Sequence, residues 1–221
     1  MSAPSLELAR LLEHPAIWRG RSAARPAEAI ATGYAALDAC LPGGGWPRTG
    51  LIEILVARFG VGELHLLLPL LAALTGRPAA RWCVWIAPPL DPYAPALAAH
   101  GVNIERVLVV RVPAGDSLAS RSVAPEPLWA FEQTLGSGAS DVALAWAVND
   151  PRTREIRRLQ LAAERGKTLG VLIRPQRAAR QSSPAVLRIA VESRPVGVRL
   201  TLLKSRGGAR GSVEVEWTAG S

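Results

Sequence analysis

Residues 50–74 read GLIEILVARFGVGELHLLLPLLAAL. A near-continuous apolar stretch, a turn carrying Gly60 and Gly62, and a long leucine-rich run predict strand, glycine turn, helix. This is the order in which a nucleotide-binding protein builds its phosphate loop. Glycines before a helix N-terminus leave backbone N–H groups pointing at an anion. The lysine and the hydroxyl residue that such a loop needs are absent. Glu63 stands in the lysine position and Leu64 in the hydroxyl position. The chain therefore has the shape of a phosphate cradle with a carboxylate placed inside it. Pro69 falls within the helical run, lacks an N–H, and is predicted to bend that helix unless it sits near its start.

Outward from this stretch, strand and helix patterns alternate. "RWCVWIA" (81–87), "RVLVVRV" (106–112), "DVALAWAV" (141–148) and "TLGVLIR" (168–174) are apolar runs of strand length. Between them lie helical segments: "DPYAPALAAHG", ended by Gly101; "EPLWAFEQTLGSG", opening on proline and closing on glycine; and "DPRTREIRRLQLAAERG". Strands of this kind belong to a parallel sheet covered on both faces. The pattern changes after residue 184. "AVLRIAVES" (185–193), "VGVRLTLLKSR" (196–206) and "SVEVEW" (212–217) alternate apolar and polar residues. They predict an antiparallel meander extending the sheet. The fold class is thus α/β, with a mainly parallel sheet. Residues 5–18 form a short amphipathic pattern followed by the linker "RGRSAARPAEA", so residues 1–28 read as an arm and 29–217 as the core domain.

The composition is that of a globular protein: 221 residues, 49% hydrophobic and 20% charged. No apolar run reaches the roughly 18 residues that span a bilayer, and the N-terminus has no signal-peptide core. A cytoplasmic protein without membrane contact is expected. Cys40 and Cys83 have no metal spacing and read as buried free thiols. His14, His65 and His100 are scattered, with no catalytic or metal-binding pattern. Trp82, Trp85, Trp129 and Trp146 read as core, Trp46 and Trp217 as exposed. The formal charge is +8, but residues 1–150 carry 11 Arg against 13 acidic residues, whereas 151–221 carry 13 Arg and 2 Lys against 5 Glu. The basic excess lies wholly in the last third, which points to a polyanion or an acidic protein as partner.

The order of motifs resembles a RecA-type core over roughly residues 30–206. "ATGYAALDACLPGGGWPRTGLIEIL" is similar to the run that leads into its first strand, "DPYAPALAAHGVNIERVLVVR" to the next helix, turn and strand, and "LKSRGG" to the end of a late strand. With "LEHPAIWRG" and "LPGGGWPR" added, the chain resembles the ImuA family, RecA-like and SulA-like proteins associated with translesion DNA synthesis. The resemblance implies a degenerate nucleotide loop at Gly60, Gly62, Glu63 and Leu64. Pro88 or Pro89 falls where RecA has its catalytic glutamate, and Trp146 where an acidic residue would hold Mg²⁺. With three sites lacking the required group, no catalysis, cofactor or metal is expected. Glu63 then reads as a helix N-terminal carboxylate, favourable against the dipole by roughly 0.3–1 kcal/mol, standing in for the missing phosphate.

The same resemblance implies a function and partners. The function is that of a non-catalytic accessory protein of damage-induced (SOS) mutagenic synthesis, a scaffold that meets RecA, ImuB (a Y-family-like polymerase homologue), an error-prone replicative-type polymerase alpha subunit, DNA, and a second copy of itself. The segments matching RecA's DNA-facing loops, 149–153 and 175–184, supply Arg152, Arg177 and Arg180, and the helix between them adds Arg154, Arg157 and Arg158 as a basic face for DNA or a partner. Lys204 and Arg206 match residues that reach a neighbour's nucleotide. Leu8, Leu11, Leu12, Ile17 and Trp18 form a partner-docking helix. Two alternatives stay open: a SulA-type inhibitor of the tubulin-like division protein, and a residual nucleotide-binding ATPase.

Overall fold

The computed structural model describes residues 29–111, 127–147, 150–205 and 211–217. The helix expected over 5–18, with Leu8, Leu11, Leu12, Ile17 and Trp18, lies outside the described residues, as does Arg206. The small ribbon β1 (Ala29–Ile30) and β2 (Trp46–Pro47) comes first, with the short helix α1 (Ala35–Asp38) between its strands. Then follow β3 (Gly50–Val56), α2 (Glu63–Thr75), β4 (Trp82–Ile86), α3 (Ala94–Ala99), β5 (Val107–Val110), α4 (Pro127–Gly136), β6 (Ser140–Trp146), α5 (Thr153–Gly166) and β7 (Leu169–Pro175). The last strands are β8 (Leu187–Ser193), β9 (Val198–Ser205) and β10 (Gly211–Val215).

Strands β3 to β10 form one eight-stranded sheet in the order β10-β9-β8-β3-β7-β6-β4-β5. β3 lies inside it, parallel to β7 on one side and to β8 on the other. β8, β9 and β10 pair antiparallel in sequence, as the alternating pattern predicts. The meander differs from expectation at its root, because β8 enters parallel to β3 and only β9 reverses direction. The physical reason lies in the connection. The chain crosses back from β7 through residues 176–186, over the end of β3, and so returns running the same way.

Each residue of β3 is buried, which is why its sequence runs apolar without alternation. Its side chains still alternate between two faces. Ile52, Ile54 and Val56 meet Leu66, Leu67, Leu70 and Leu71 of α2. Leu51 on the other face meets Phe131 and Leu135 of α4 and Ile156 and Leu159 of α5. α4 and α5 approach closely at Gly136 and Gly166. A methyl group on Gly166 would overlap the Leu135 carbonyl.

The segment before β3 is held by bonds within itself and by one to α2. The Asp38 carboxylate accepts the Thr32 N–H at 2.8 Å. Pro69 sits inside α2, so the carbonyl of His65, four residues earlier, has no helical donor. The Tyr34 hydroxyl donates to that carbonyl at 3.2 Å, and burial pushes its pKa up to about 12. Pro69 also packs on Gly33, whose added Cβ would lie 2.5 Å from the proline ring. The "ATGY" run therefore repairs the defect that proline makes in the helix.

Candidate functional site

The glycine loop follows β3 at the C-terminal edge of the sheet. Gly60 and Gly62 have φ of 86° and 109°, in the left-handed region that L side chains avoid. Gly62 is also held by contact: an added Cβ would lie 3.1 Å from the Trp217 ring. Glu63 opens α2, and its carboxylate turns back into the loop. One oxygen accepts the Gly60 N–H at 2.7 Å and the other the Val61 N–H at 2.9 Å. The residue is only 2% exposed. These are charge-assisted bonds at the positive end of a helix, each stronger than a neutral hydrogen bond. The two loop N–H groups are thus met by a carboxylate of the same chain. Leu64 is half-buried against the apolar core and offers no oxygen to a metal.

The neighbouring strand ends are equally closed to such chemistry. β6 ends on Trp146 and β4 carries Trp85. Both indoles are buried, with ring centroids 5.8 Å apart. β4 runs into Ala87, at φ 47°, then Pro88 and Pro89. Among the described residues, no group of three or more His, Cys, Asp or Glu could hold a metal ion, and no helix is long and apolar enough to cross a membrane.

A buried ionic cluster that motif reading missed lies behind this edge. Glu53, in the middle of β3, is fully buried. Its Oε1 accepts from Arg174 Nη1 and Ser183 Oγ, each at 2.9 Å, and its Oε2 from Arg188 Nε at 2.6 Å. Arg188 also donates to the carbonyls of Gln181 and Ala178, and Arg174 to the Gln181 side chain. The loop 175–184 is therefore a short 3₁₀ turn (Gln176–Arg180) and a strap fastened to the sheet from below. The signal was present: a lone glutamate in "GLIEILV", with single arginines ending "VLIR" and opening "LRIAV".

The predicted basic residues fall into two groups. Arg152, Arg154, Arg157 and Arg180 are exposed, as is Arg58 beyond β3, and among the described residues none of their guanidinium groups pairs with a carboxylate, although the Arg152 backbone N–H donates to Glu155 at 2.6 Å. Arg177 bonds Asp150 at 2.9 Å, and Arg158 bonds Glu132 of α4 at 2.6 Å, so these two also serve packing. Asp150 lies within 3.6 Å of Arg174, which brings the segment after β6 beside the strap after β7. The two predicted basic loops are thus neighbours. Lys204 donates to the Ser183 carbonyl of its own chain at 2.6 Å.

Several expectations fail on contact. Trp46 is fully buried, whereas Trp82 and Trp129 are exposed. Trp46 is enclosed by the hydrophobic core on the α2 side of the sheet. Trp82 opens β4 near the sheet edge, and Trp129 faces away from the α4 core stripe. Cys83 is buried, its thiol pushed up to about 12, but Cys40 is only partly covered. His65 and His100, read as scattered, come together edge to face at 5.4 Å, and His65 lies 4.3 Å from the Trp217 ring. Burial, and secondarily the His100 charge, hold the His65 pKa below its ordinary value.

Comparison with known proteins bears on this geometry. A family model described as cell division inhibitor SulA matches residues 51–170, from β3 through the start of β7. The chain belongs to the SulA family. Among curated SulA relatives, the cell division inhibitor SulA of Edwardsiella piscicida is 34% identical over 131 residues, 59% of this chain and 71% of that protein. Protein ImuA of Caulobacter vibrioides is 32% identical over 152 residues, 67% of this chain. The chain spans 58% of the length of that ImuA. A crystal structure of SulA from Pseudomonas aeruginosa is similar at 27% identity with a TM-score of 0.42, over 56% of this chain and 97% of that one. The SulA match begins within β3, so the Glu63-closed loop and both tryptophan strand ends fall inside it.

Proposed function

We propose that this chain is a non-catalytic accessory protein of damage-induced (SOS) mutagenic DNA synthesis. In this reading it is a RecA-like scaffold in the cytoplasm that meets RecA, ImuB and an error-prone polymerase alpha subunit. The observation that carries the reading is the Glu63 carboxylate on the N–H groups of Gly60 and Val61. A loop that satisfies its own donors needs no nucleotide to fold, and a buried carboxylate repels a triphosphate. Pro88 and Pro89 follow β4 and Trp146 ends β6, at the positions where this reading would need the carboxylates of a hydrolytic site. The ImuA similarity, which extends over more of this chain than the SulA alignment does, favours the mutagenesis pathway. The arginines beyond β3, β6 and β7 are the surface this reading gives to DNA or to a partner's acidic face.

Calorimetric titration with Mg-ATP tests the first half of the proposal. No heat of binding is expected from the wild-type protein, and tight binding or turnover sinks the closed-loop argument in favour of a residual ATPase. Affinity capture with purified RecA, ImuB and the tubulin-like division protein tests the second half. A second reading, a division inhibitor, is favoured by the SulA match over most of the Edwardsiella protein. Binding to the division protein alone would establish it and remove the scaffold.

A further inference from the structure

A recess of about 610 Å³, a size common for small-molecule sites, lies at the sheet edge opposite the Glu63 loop, where the parallel strands begin. Thr49 precedes β3, Arg81 precedes β4, and Lys167 closes α5 just before β7. Ile30 and Pro47 of the β1–β2 ribbon form an apolar wall with Leu74 of α2. The ribbon is fixed in place, since a Cβ on Gly45 would overlap the Ile30 carbonyl. A second recess of about 230 Å³ adjoins the first, for Pro47, Thr49 and Glu164 line both. Its remaining walls are largely apolar, from Leu41, Pro42, Val186 and Leu187. The charges are unequally engaged. The Arg81 guanidinium is occupied by Asp141 and by the carbonyls of Gly138, Gly166 and Lys167. Glu164 accepts from Gln160 Nε2 at 2.7 Å. Arg48 and Lys167 are exposed at the rim, and the Lys167 ammonium has no hydrogen bond or ion pair among the described residues. The Lys167 backbone holds φ 50° and ψ 44°, the left-handed position after a helix that glycine usually takes. A charged side chain is thus kept where the backbone favours none, a kind of strain that gathers at functional sites.

We propose that the two recesses together bind a small anionic amphiphile, a carboxylate on a compact apolar body. Its anion sits between Lys167 and Arg48, and its apolar part passes Pro47 toward Leu41 and Val186. Arg48, Arg81 and Lys167 line the first recess against Asp141 and Glu164, which leaves one positive charge for a ligand to balance. The second recess holds Glu164 as its one charged residue, so it rejects a further anionic group and accepts an apolar one. The site uses no residue of the Glu63 loop and stands apart from the function proposed above.

The probe is octanoate, titrated into the full chain by calorimetry and by NMR. A Kd of roughly 0.1–1 mM is expected for a ligand of ten heavy atoms. Octan-1-ol and octylamine should bind about tenfold more weakly, since neither supplies the anion. Amide shifts should move at Thr49, Lys167 and Val186. Lys167→Gly should weaken binding about tenfold while the fold is kept or stabilised, because glycine suits the left-handed backbone. Lys167→Arg should bind as the wild type does. Val186→Trp, which fills the apolar recess, should abolish binding in a protein shown by circular dichroism to be folded. The absence of saturable binding up to about 10 mM overturns the proposal. So does octan-1-ol binding as tightly as octanoate, a set of shifts confined to residues outside the two recesses, or a Lys167→Gly protein of unchanged affinity.

Discussion

Removing the charge of Glu53 without removing its partners should unsettle the whole sheet. Glu53→Leu leaves Arg174 wholly buried and Arg188 nearly so, facing an apolar side chain in place of a carboxylate. Three hydrogen bonds to the carboxylate disappear together. Asp150, at 3.6 Å from Arg174, cannot compensate both cations. Breaking a buried ion cluster from one side costs about 3–5 kcal/mol. Against a total stability of roughly 5–15 kcal/mol that is a large fraction, equivalent to a fall of about 6–20 °C in melting temperature for a chain of this size. Replacing all three residues by apolar ones (Glu53→Leu, Arg174→Met, Arg188→Met) should restore most of it, since no charge is then stranded. The strap should not recover, because the Arg188 guanidinium is what ties the carbonyls of Gln181 and Ala178 to the sheet. Urea unfolding reports the stability, and amide exchange over residues 176–184 reports the strap. A Glu53→Leu protein within about 1 kcal/mol of wild type would refute the reasoning, as would a triple variant no more stable than the single one.

The remaining predictions address other parts of the molecule. Arg81 donates to Asp141 and to the carbonyls of Gly138, Gly166 and Lys167, closing the end of α5; Arg81→Ala should cost roughly 2–3 kcal/mol in urea unfolding. Burial pushes the Asp141 pKa up, but Arg77 and Arg81 together hold it below the usual value, so its contribution is fully present above the unfolded value of about 3.9 and is lost as the pH falls through the lower folded value. The stability gap between wild type and Asp141→Asn should be flat at neutral pH and close under acid. His65 has a lowered pKa, so the unfolded chain takes up the proton first; stability should fall as the pH drops through about 6.5, and His65→Phe should flatten that slope. If the arginine ridge contacts DNA, Arg154→Glu with Arg157→Glu should weaken oligonucleotide binding and lower its salt dependence, whereas Arg199→Glu on β9, of the same charge change per site, should not.

Much of the architecture could be read from local pattern, and the failures share one cause. Strands β3, β4, β6 and β7 announce themselves as apolar runs because both faces are covered, and α5 by its stripe at Ile156, Leu159 and Ala163. The glycines of the loop and the misfit of Glu63 were equally visible. What sequence could not supply is contact between distant elements. Glu53 meets Arg188 across 135 residues, and Tyr34 meets the carbonyl freed by Pro69 across 31. The tryptophans went wrong for the same reason. A strand position tells which face a side chain takes, but not whether anything covers that face. Trp85 and Trp82 share a strand, and one is buried while the other is exposed.

In the proposed reading, the Glu63 loop is a closed site and not a merely damaged one. If lysine and hydroxyl had been lost and nothing supplied, the N–H groups of Gly60 and Val61 would face a helix N-terminus without an acceptor. Each unmet donor that is kept from water costs about 1–3 kcal/mol. The structure instead meets both donors with one carboxylate, which the helix itself carries in its first turn. The left-handed glycines remain necessary, because the loop must still turn its amides inward, now toward a ligand in the same chain. Trp217 then packs over Gly62, which has no side chain to obstruct it. A loop so completed has these two donors met with no nucleotide present.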